Sequence, residues 1–352
     1  MNIATEMKRL ALRAAYNYLD KDPGANLPRL MEWVDARAEG LLEPQREVFR
    51  QIIREKDSNW YQLLESLWTD IDDEIRKTLF ENLIINANLL AALQVRESSE
   101  RYDCSVPWAT ALDMGVSCTS GGALSFDELD GIIEEGKNLG TFIYVLHGDG
   151  DLSRREEKVA LCNKYQDCHF FDFINGKNVD GDLTSQLLRV KNYVPLLKTT
   201  GTDADRQVET AMKLFTDRKL AFGAFCFYDE KSQSHFAQEE FFDWLIRWGA
   251  KSCFFFSSVP ADRDYLYGMM RLYRQSKPLL SINFCKDQDI TGGCLASRYY
   301  SAVDADGWVK PCPFVEERSI CLREDSLVSA YQSRLFQSYL AENPVCKGVK
   351  GC

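Results

Sequence analysis

No C-x-x-C pair occurs among the twelve cysteines of this 352-residue sequence, which weakens a zinc-ribbon reading. No run of 18 apolar residues occurs either, so no stretch reads as a transmembrane helix. The N-terminal segment Met1-Asn-Ile-Ala-Thr-Glu-Met-Lys-Arg-Leu-Ala-Leu lacks the apolar core of a signal peptide. Cations are in deficit: 42 Lys and Arg stand against 53 Asp and Glu, a net charge of −11. That balance argues against a nucleic-acid-binding surface. Together these absences lead us to expect a cytoplasmic protein with no membrane or nucleic-acid partner.

Apolar residues make up 45% of the chain, ample for a core. The length suggests two domains, or one large domain with an extension. In a reducing cytosol the cysteines are not expected to form a disulfide framework. Cys226 and Cys253 lie in apolar, strand-like runs, where cysteine behaves as a small hydrophobe. Cys162 and Cys168, spaced C-x5-C, read as core in the same way.

Residues 1 to 103 read as helical. Leu10, Ala14 and Leu19 repeat near helical spacing, as do Val48, Ile52 and Ile53. Trp60, Leu63, Leu64 and Leu67 form a third stripe, and Ile75, Leu79, Leu83 and Ile84 a fourth. Pro44 suits a helix N1 position. From Trp108 the period changes. Strands are predicted at 108–113, 141–146, 168–173, 193–197, 221–227, 252–256 and 279–284, with amphipathic helices between them. The first of these helices opens on Ser125-Phe-Asp-Glu128, a capping box. Apolar strands alternating with helices imply parallel strands covered by helices. Six β/α units in a row fit an open, partial (β/α)6 barrel or a doubly wound sheet, with ligands at the C-terminal strand ends.

Beyond the barrel, Cys294, Gly307 and Cys312 stand in the pattern C-x12-G-x4-C. Asp304-Ala-Asp-Gly307 predicts a turn, with Gly307 free to take a positive φ. Such a hairpin brings two thiolates together at its open end, which suits a soft metal or an iron–sulfur site.

This spacing resembles the start of the auxiliary-cluster (SPASM or twitch) segment at the C-terminus of many radical SAM proteins. Upstream, Val106-Pro-Trp-Ala, Leu124-Ser-Phe-Asp-Glu-Leu-Asp-Gly131, Leu161-Cys-Asn-Lys-Tyr-Gln-Asp-Cys168, Phe173-Ile-Asn-Gly176, Gly249-Ala-Lys-Ser-Cys253 and Gly292-Gly-Cys294 resemble a radical SAM barrel. Asn59-Trp-Tyr-Gln-Leu63 and Asn82-Leu-Ile-Ile-Asn-Ala-Asn88 extend the similarity into the N-terminal helices. The resemblance implies three parts: a helical region at 1–103, the barrel at 104–288, and the auxiliary segment at 289–352.

The same resemblance implies a C-x3-C-x2-C loop after the first strand. Its three thiolates hold a [4Fe–4S] cluster with one iron left open for S-adenosylmethionine. Here the loop reads Met114-Gly-Val-Ser-Cys-Thr-Ser-Gly-Gly-Ala123. Cys118 alone remains, and one thiolate does not hold a four-iron cluster. After the second strand the family's Gly-Gly-Glu is replaced by His147-Gly-Asp-Gly-Asp151, with Gly150 at the glutamate position. Gly148, Asp149 and Gly150 are therefore read as the remnant of a SAM site. Lys198-Thr-Thr-Gly201 follows the fourth strand, where the family pattern has an acidic residue.

These departures imply a degenerate radical SAM protein that does not cleave SAM. It would hold one C-terminal [4Fe–4S] cluster on Cys294, Cys312, Cys346 and Cys352, with Cys321 in reserve. Its partner would be an active radical SAM paralogue, or a peptide or protein substrate. One alternative is an active enzyme that recruits Cys104 and Cys118 to a non-standard cluster. Another is a barrel enzyme using His147, Asp149 and Asp151, with or without a divalent metal; the plain reading of that segment is a polar, Gly-rich turn. Asp113 and Asp172 lie on apolar strands, where a buried carboxylate needs a partner. His169 and His235 have no partner that the sequence names.

Overall fold

The computed structural model describes residues 3–35, 50, 53–116, 122–201, 205–259, 263–291 and 293–342. Pro44, Val48 and Ile52 lie outside the described residues. The N-terminal part is helical, as expected: α1 (Ile3–Lys21), α2 (Pro23–Asp35), α3 (Asn59–Asp70), α4 (Asp73–Leu79), a π-helical run Phe80–Leu90 and α5 (Ala91–Tyr102). Two expected stripes depart from the structure. Leu10 and Ile84 are exposed at 59% and 46%. Through Phe80–Leu90 the hydrogen bonds run i→i+5, so a 3.6-residue stripe cannot stay on one face. The buried residues there are Asn82, Ile85, Asn86 and Ala87.

Those asparagines fasten the helices to the rest of the chain. The Asn82 amide donates to the carbonyls of Gln166 (2.9 Å) and Cys168 (2.8 Å), and Asn86 to that of Asp167 (3.0 Å). Asn59 donates to the carbonyls of Arg274 and Lys277, both at 2.9 Å. Helices α4 and α5 and the π run form one 30-residue helical stretch, Asp73–Tyr102. By length and composition alone it could cross a membrane, which a search for unbroken apolar runs does not reveal. Its Asn82 and Asn86 face is spent on the contacts just described.

The remainder alternates strand and helix. In order come β1 (Ala109–Asp113), α6 (Phe126–Leu139), β2 (Ile143–His147), α7 (Arg155–Lys164), β3 (His169–Ile174), α8 (Gly181–Val190), β4 (Tyr193–Lys198) and α9 (Arg206–Asp217). They are followed by β5 (Gly223–Tyr228), α10 (Gln233–Phe236), α11 (Glu239–Arg247), β6 (Ser252–Ser257), α12 (Tyr265–Tyr273) and β7 (Leu280–Asn283). The Ser125 capping box forms as the sequence predicts: Glu128 N donates to Ser125 Oγ and Ser125 N to Glu128 Oε2.

Strands β1 to β7 are parallel and adjacent in chain order, in an open mixed α/β arrangement. The C-terminal hairpin continues this sheet. Strand β8 (Tyr300–Val303) pairs parallel with β1, Ala111 opposite Ala302, and β9 (Val309–Lys310) pairs antiparallel with β8. The order is therefore β7-β6-β5-β4-β3-β2-β1-β8-β9. Two short helices, α13 (Leu327–Gln332) and α14 (Arg334–Glu342), follow.

The two faces of the sheet differ in character. One packs on the helices through Leu112, Leu146, Phe170, Cys226, Cys253 and Phe255, all fully buried. The concave face gathers a second, aromatic cluster, with Leu196, Phe225 and Phe256 buried beneath half-buried Phe171, Phe173, Phe227, Phe254, Phe284 and Phe314. Alternation along each strand produces this division. The outer edge of β7 is closed by one ion pair. Arg274 Nε donates to the Ser281 carbonyl at 2.8 Å, its guanidinium pairs with Asp287, and Asp287 accepts from Asn283 N at 2.7 Å.

Candidate site at the C-terminal ends of the strands

A cleft of about 600 Å³ opens at the C-terminal ends of β1, β2 and β3. Met114, Gly115, Gly148, Gly150, Arg154 and Asn175 contribute to its wall, with Asp149 and Asp151 beside them. This is where open α/β sheets place their ligands. Two glycines make the geometry possible. Gly148 has φ +84°, and a Cβ there would lie 1.9 Å from Asp113 Oδ1. At Gly150 a Cβ would lie 2.9 Å from the Asn175 amide nitrogen.

Of the expected SAM-site remnant, Gly148 and Gly150 do line the cleft. Asp149 lines it as well, but its carboxylate is occupied by its own loop. Oδ1 accepts from Ser153 N (3.0 Å) and Ser153 Oγ (2.5 Å), and Oδ2 from Arg154 N (2.9 Å). Burial pushes this carboxyl up, yet the bonds from Ser153 and Arg154 outweigh it and hold the group below its usual range. The turn thus anchors the start of α7.

Asp172 has the partner its burial requires. Lys158, itself 1% exposed, reaches the Asp172 carboxylate at 2.8 and 3.0 Å, and Tyr193 donates to the same group. Lys158 also lies 3.5 Å from the Asp149 carboxylate. Burial raises the Asp172 carboxyl despite the pull of Lys158 and Tyr193 in the other direction. This network lies under α7, on the helix side of the sheet.

His147 faces a different neighbour from the one the sequence suggested. Strand register sets it opposite Asp113, not beside Asp149 or Asp151. Burial pushes its imidazole down, with Asp113 opposing and Lys310 adding to the effect. Its Nε2 and Arg154 Nη1 are buried without hydrogen-bond partners among the described residues. His169 is fully buried at the start of β3, and burial pushes it down to about 3. His235 Nε2 meets the Gly201 carbonyl. The loop after β4 is held by Asp205, which accepts from Thr199 Oγ1 at 2.7 Å, Thr200 N at 2.8 Å and Gly201 N at 3.0 Å. Sequence reading missed the Asp113–His147 pairing because it depends on the register of two separate strands; it also passed over Asp205, whose contacts all lie within its own loop.

The cysteines fall into two groups. Cys162, Cys168, Cys226 and Cys253 are fully buried in the helix-side core, and burial raises the Cys168 thiol well above its ordinary value. Cys104 is buried near the start of β1. Cys294 is half-buried and Cys312 is buried, at either end of the hairpin segment. The turn between them forms as expected: Gly307 has φ +91°, and its N–H donates to Asp304 O at 2.9 Å. Cys321 is bridged to Trp308 beside that turn, at the far end from Cys312. Cys118, Cys346 and Cys352 lie outside the described residues. Among the described residues no three of His, Cys, Asp and Glu come together as a metal site. The strand-end cleft does not fit a [4Fe–4S] cluster: its described lining holds no cysteine, and the β1–α6 connection carries one.

No family model matches the chain, and no curated protein matches it. Solved structures do. Streptococcus suis SuiB is similar at a TM-score of 0.55 with 13% identity, over 72% of each chain. SuiB bound to precursor peptide SuiA gives 0.53 and 12%, over 71% of this chain and 70% of that one. Native anSMEcpe with bound AdoMet gives 0.51 and 13%, over 69% of this chain and 89% of the other. The chain shares the fold of these structures. At such identity the likeness is one of fold alone.

Proposed function

We propose that this chain is a degenerate radical SAM-type protein that does not cleave SAM. On this reading the half barrel serves recognition, as a partner or substrate-recognition subunit beside an active paralogue. The observation that carries the proposal is the strand-end site. Its connecting loop has one cysteine, and the carboxylate nearest the Gly-Gly-Glu position, Asp149, is consumed by Ser153 and Arg154. What remains of the SAM site is the backbone of Gly148 and Gly150. A peptide is the favoured partner class, because SuiB and anSMEcpe have been solved with peptides bound.

The auxiliary segment would hold one [4Fe–4S] cluster. Cys294 and Cys312 supply two thiolates, and Cys346 and Cys352 the remaining two; four thiolates suit such a cluster. The position of Cys321 beside the turn makes it the weaker reserve. When bound, the cluster would supply electron transfer or structural cross-linking of the C-terminus. The same reading divides the chain at residues 103 and 288, with the helices as a docked cap. Its test is direct. Anaerobically reconstituted protein, incubated with SAM and a strong reductant, is expected to release no 5′-deoxyadenosine. Catalytic release of that product would overturn the proposal and favour non-standard ligation by Cys104 and Cys118.

A further inference from the structure

The concave face of the sheet carries a charge pattern opposite to that of the whole chain. Alternation and register place Asp113, His147, His169 and Lys198 on this face, with Lys310 joining from β9. The net charge of the protein is −11, yet this face has two lysines and one carboxylate. Lys198 stands at the C-terminal end of β4, exposed, with its ammonium 5.8 Å from the ring centre of Phe227. Among the described residues it makes no ion pair. The lysine thus overhangs an apolar floor.

That floor is continuous. Phe173 stacks on Phe225 at 4.6 Å, Phe227 meets Phe256 at 5.1 Å, and Phe284 meets Phe256 at 5.5 Å. Phe314, from the segment after β9, closes the far side at 5.3 Å from Phe256. The upper rings, Phe173, Phe227, Phe284 and Phe314, are half-buried, so part of each ring remains exposed. The β7 edge beside them is blocked by Arg274 and Asp287, which removes strand addition as a way of binding here.

We propose that this trough binds a small amphipathic anion, an acyl or aryl carboxylate. Its apolar body lies against Phe173, Phe227, Phe284 and Phe314, and its carboxylate meets Lys198. Apolar area supplies the affinity, and the lysine supplies the preference for an anion. The idea is independent of whether SAM is cleaved, so the two can fail separately.

The test uses the full-length protein, 1-anilinonaphthalene-8-sulfonate as fluorescent probe, and dodecanoate and dodecanol as competitors. Saturable probe binding is expected, with dodecanoate displacing it at least about tenfold better than dodecanol. Lys198→Gln should weaken dodecanoate about tenfold and leave dodecanol unchanged, whereas Lys56→Gln, remote and exposed, should alter neither. Phe227→Leu should weaken both competitors. Unsaturable probe binding would overturn the proposal. So would equal competition by acid and alcohol, or a Lys198→Gln variant that binds dodecanoate as the parent does. Displacement by an acidic, aromatic peptide but not by dodecanoate would overturn it too.

Discussion

Removing the Asp172 carboxylate should destabilise the protein far more than removing the whole ion pair. Lys158 and Asp172 are 1% and 0% exposed, so neither charge can turn to water. In an Asp172→Leu variant the Lys158 ammonium loses contacts at 2.8 and 3.0 Å. It keeps only the Asp149 carbonyl at 3.2 Å and the Asp149 carboxylate at 3.5 Å, which is already shared with Ser153 and Arg154. The Tyr193 hydroxyl loses its acceptor as well. Breaking a buried pair from one side costs about 3–5 kcal/mol, whereas replacing both partners with apolar groups is often close to neutral. Asp172→Leu should therefore cost about 4 kcal/mol and Lys158→Met about 3 kcal/mol. The double variant should lie within about 1.5 kcal/mol of the parent. Urea unfolding followed by far-UV circular dichroism reads all three. A single-variant cost below about 1 kcal/mol, or a double variant as costly as the two singles added, would refute the reasoning.

Other predictions rest on separate parts of the fold. His169 is held near 3 when folded and returns to about 6.5 when unfolded, so the stability it protects is complete above pH 6.5 and drains as pH falls toward 3. This amounts to about 2 kcal/mol by pH 5, and His169→Phe should flatten the dependence of urea stability on pH over that window. Gly148→Ala should cost at least about 2 kcal/mol in the same assay, since its φ is +84° and the new methyl would meet Asp113. Arg274→Ala should uncover the β7 edge and raise concentration-dependent light scattering at 37 °C, while the parent stays clear.

The sequence made the parallel strands legible because each is a short apolar run between amphipathic helices, and every predicted strand lies within two residues of the one observed. Phe170 and Phe171 show what such a reading misses. They are neighbours in one apolar run, yet one packs under the helices and the other joins the aromatic trough. The Asp304–Gly307 turn was legible because its geometry is local. The pairing of β8 with β1 was not, since Ala111 and Ala302 meet across nearly the whole barrel. The exposed Ile84 escaped because a π-helical run breaks the period on which the prediction relied. At the cleft, the glycines could be read but the fate of Asp149 could not. Whether a carboxylate is free or spent depends on which hydrogen bonds the following turn makes.

On the proposed reading, metal chemistry is confined to the C-terminal cysteines. Iron and acid-labile sulfide in anaerobically purified, reconstituted protein test that claim most directly, measured beside a Cys294→Ser, Cys312→Ser variant. About four irons per chain are expected, and their loss in the variant. About eight irons, or about four retained when both cysteines are gone, would contradict it.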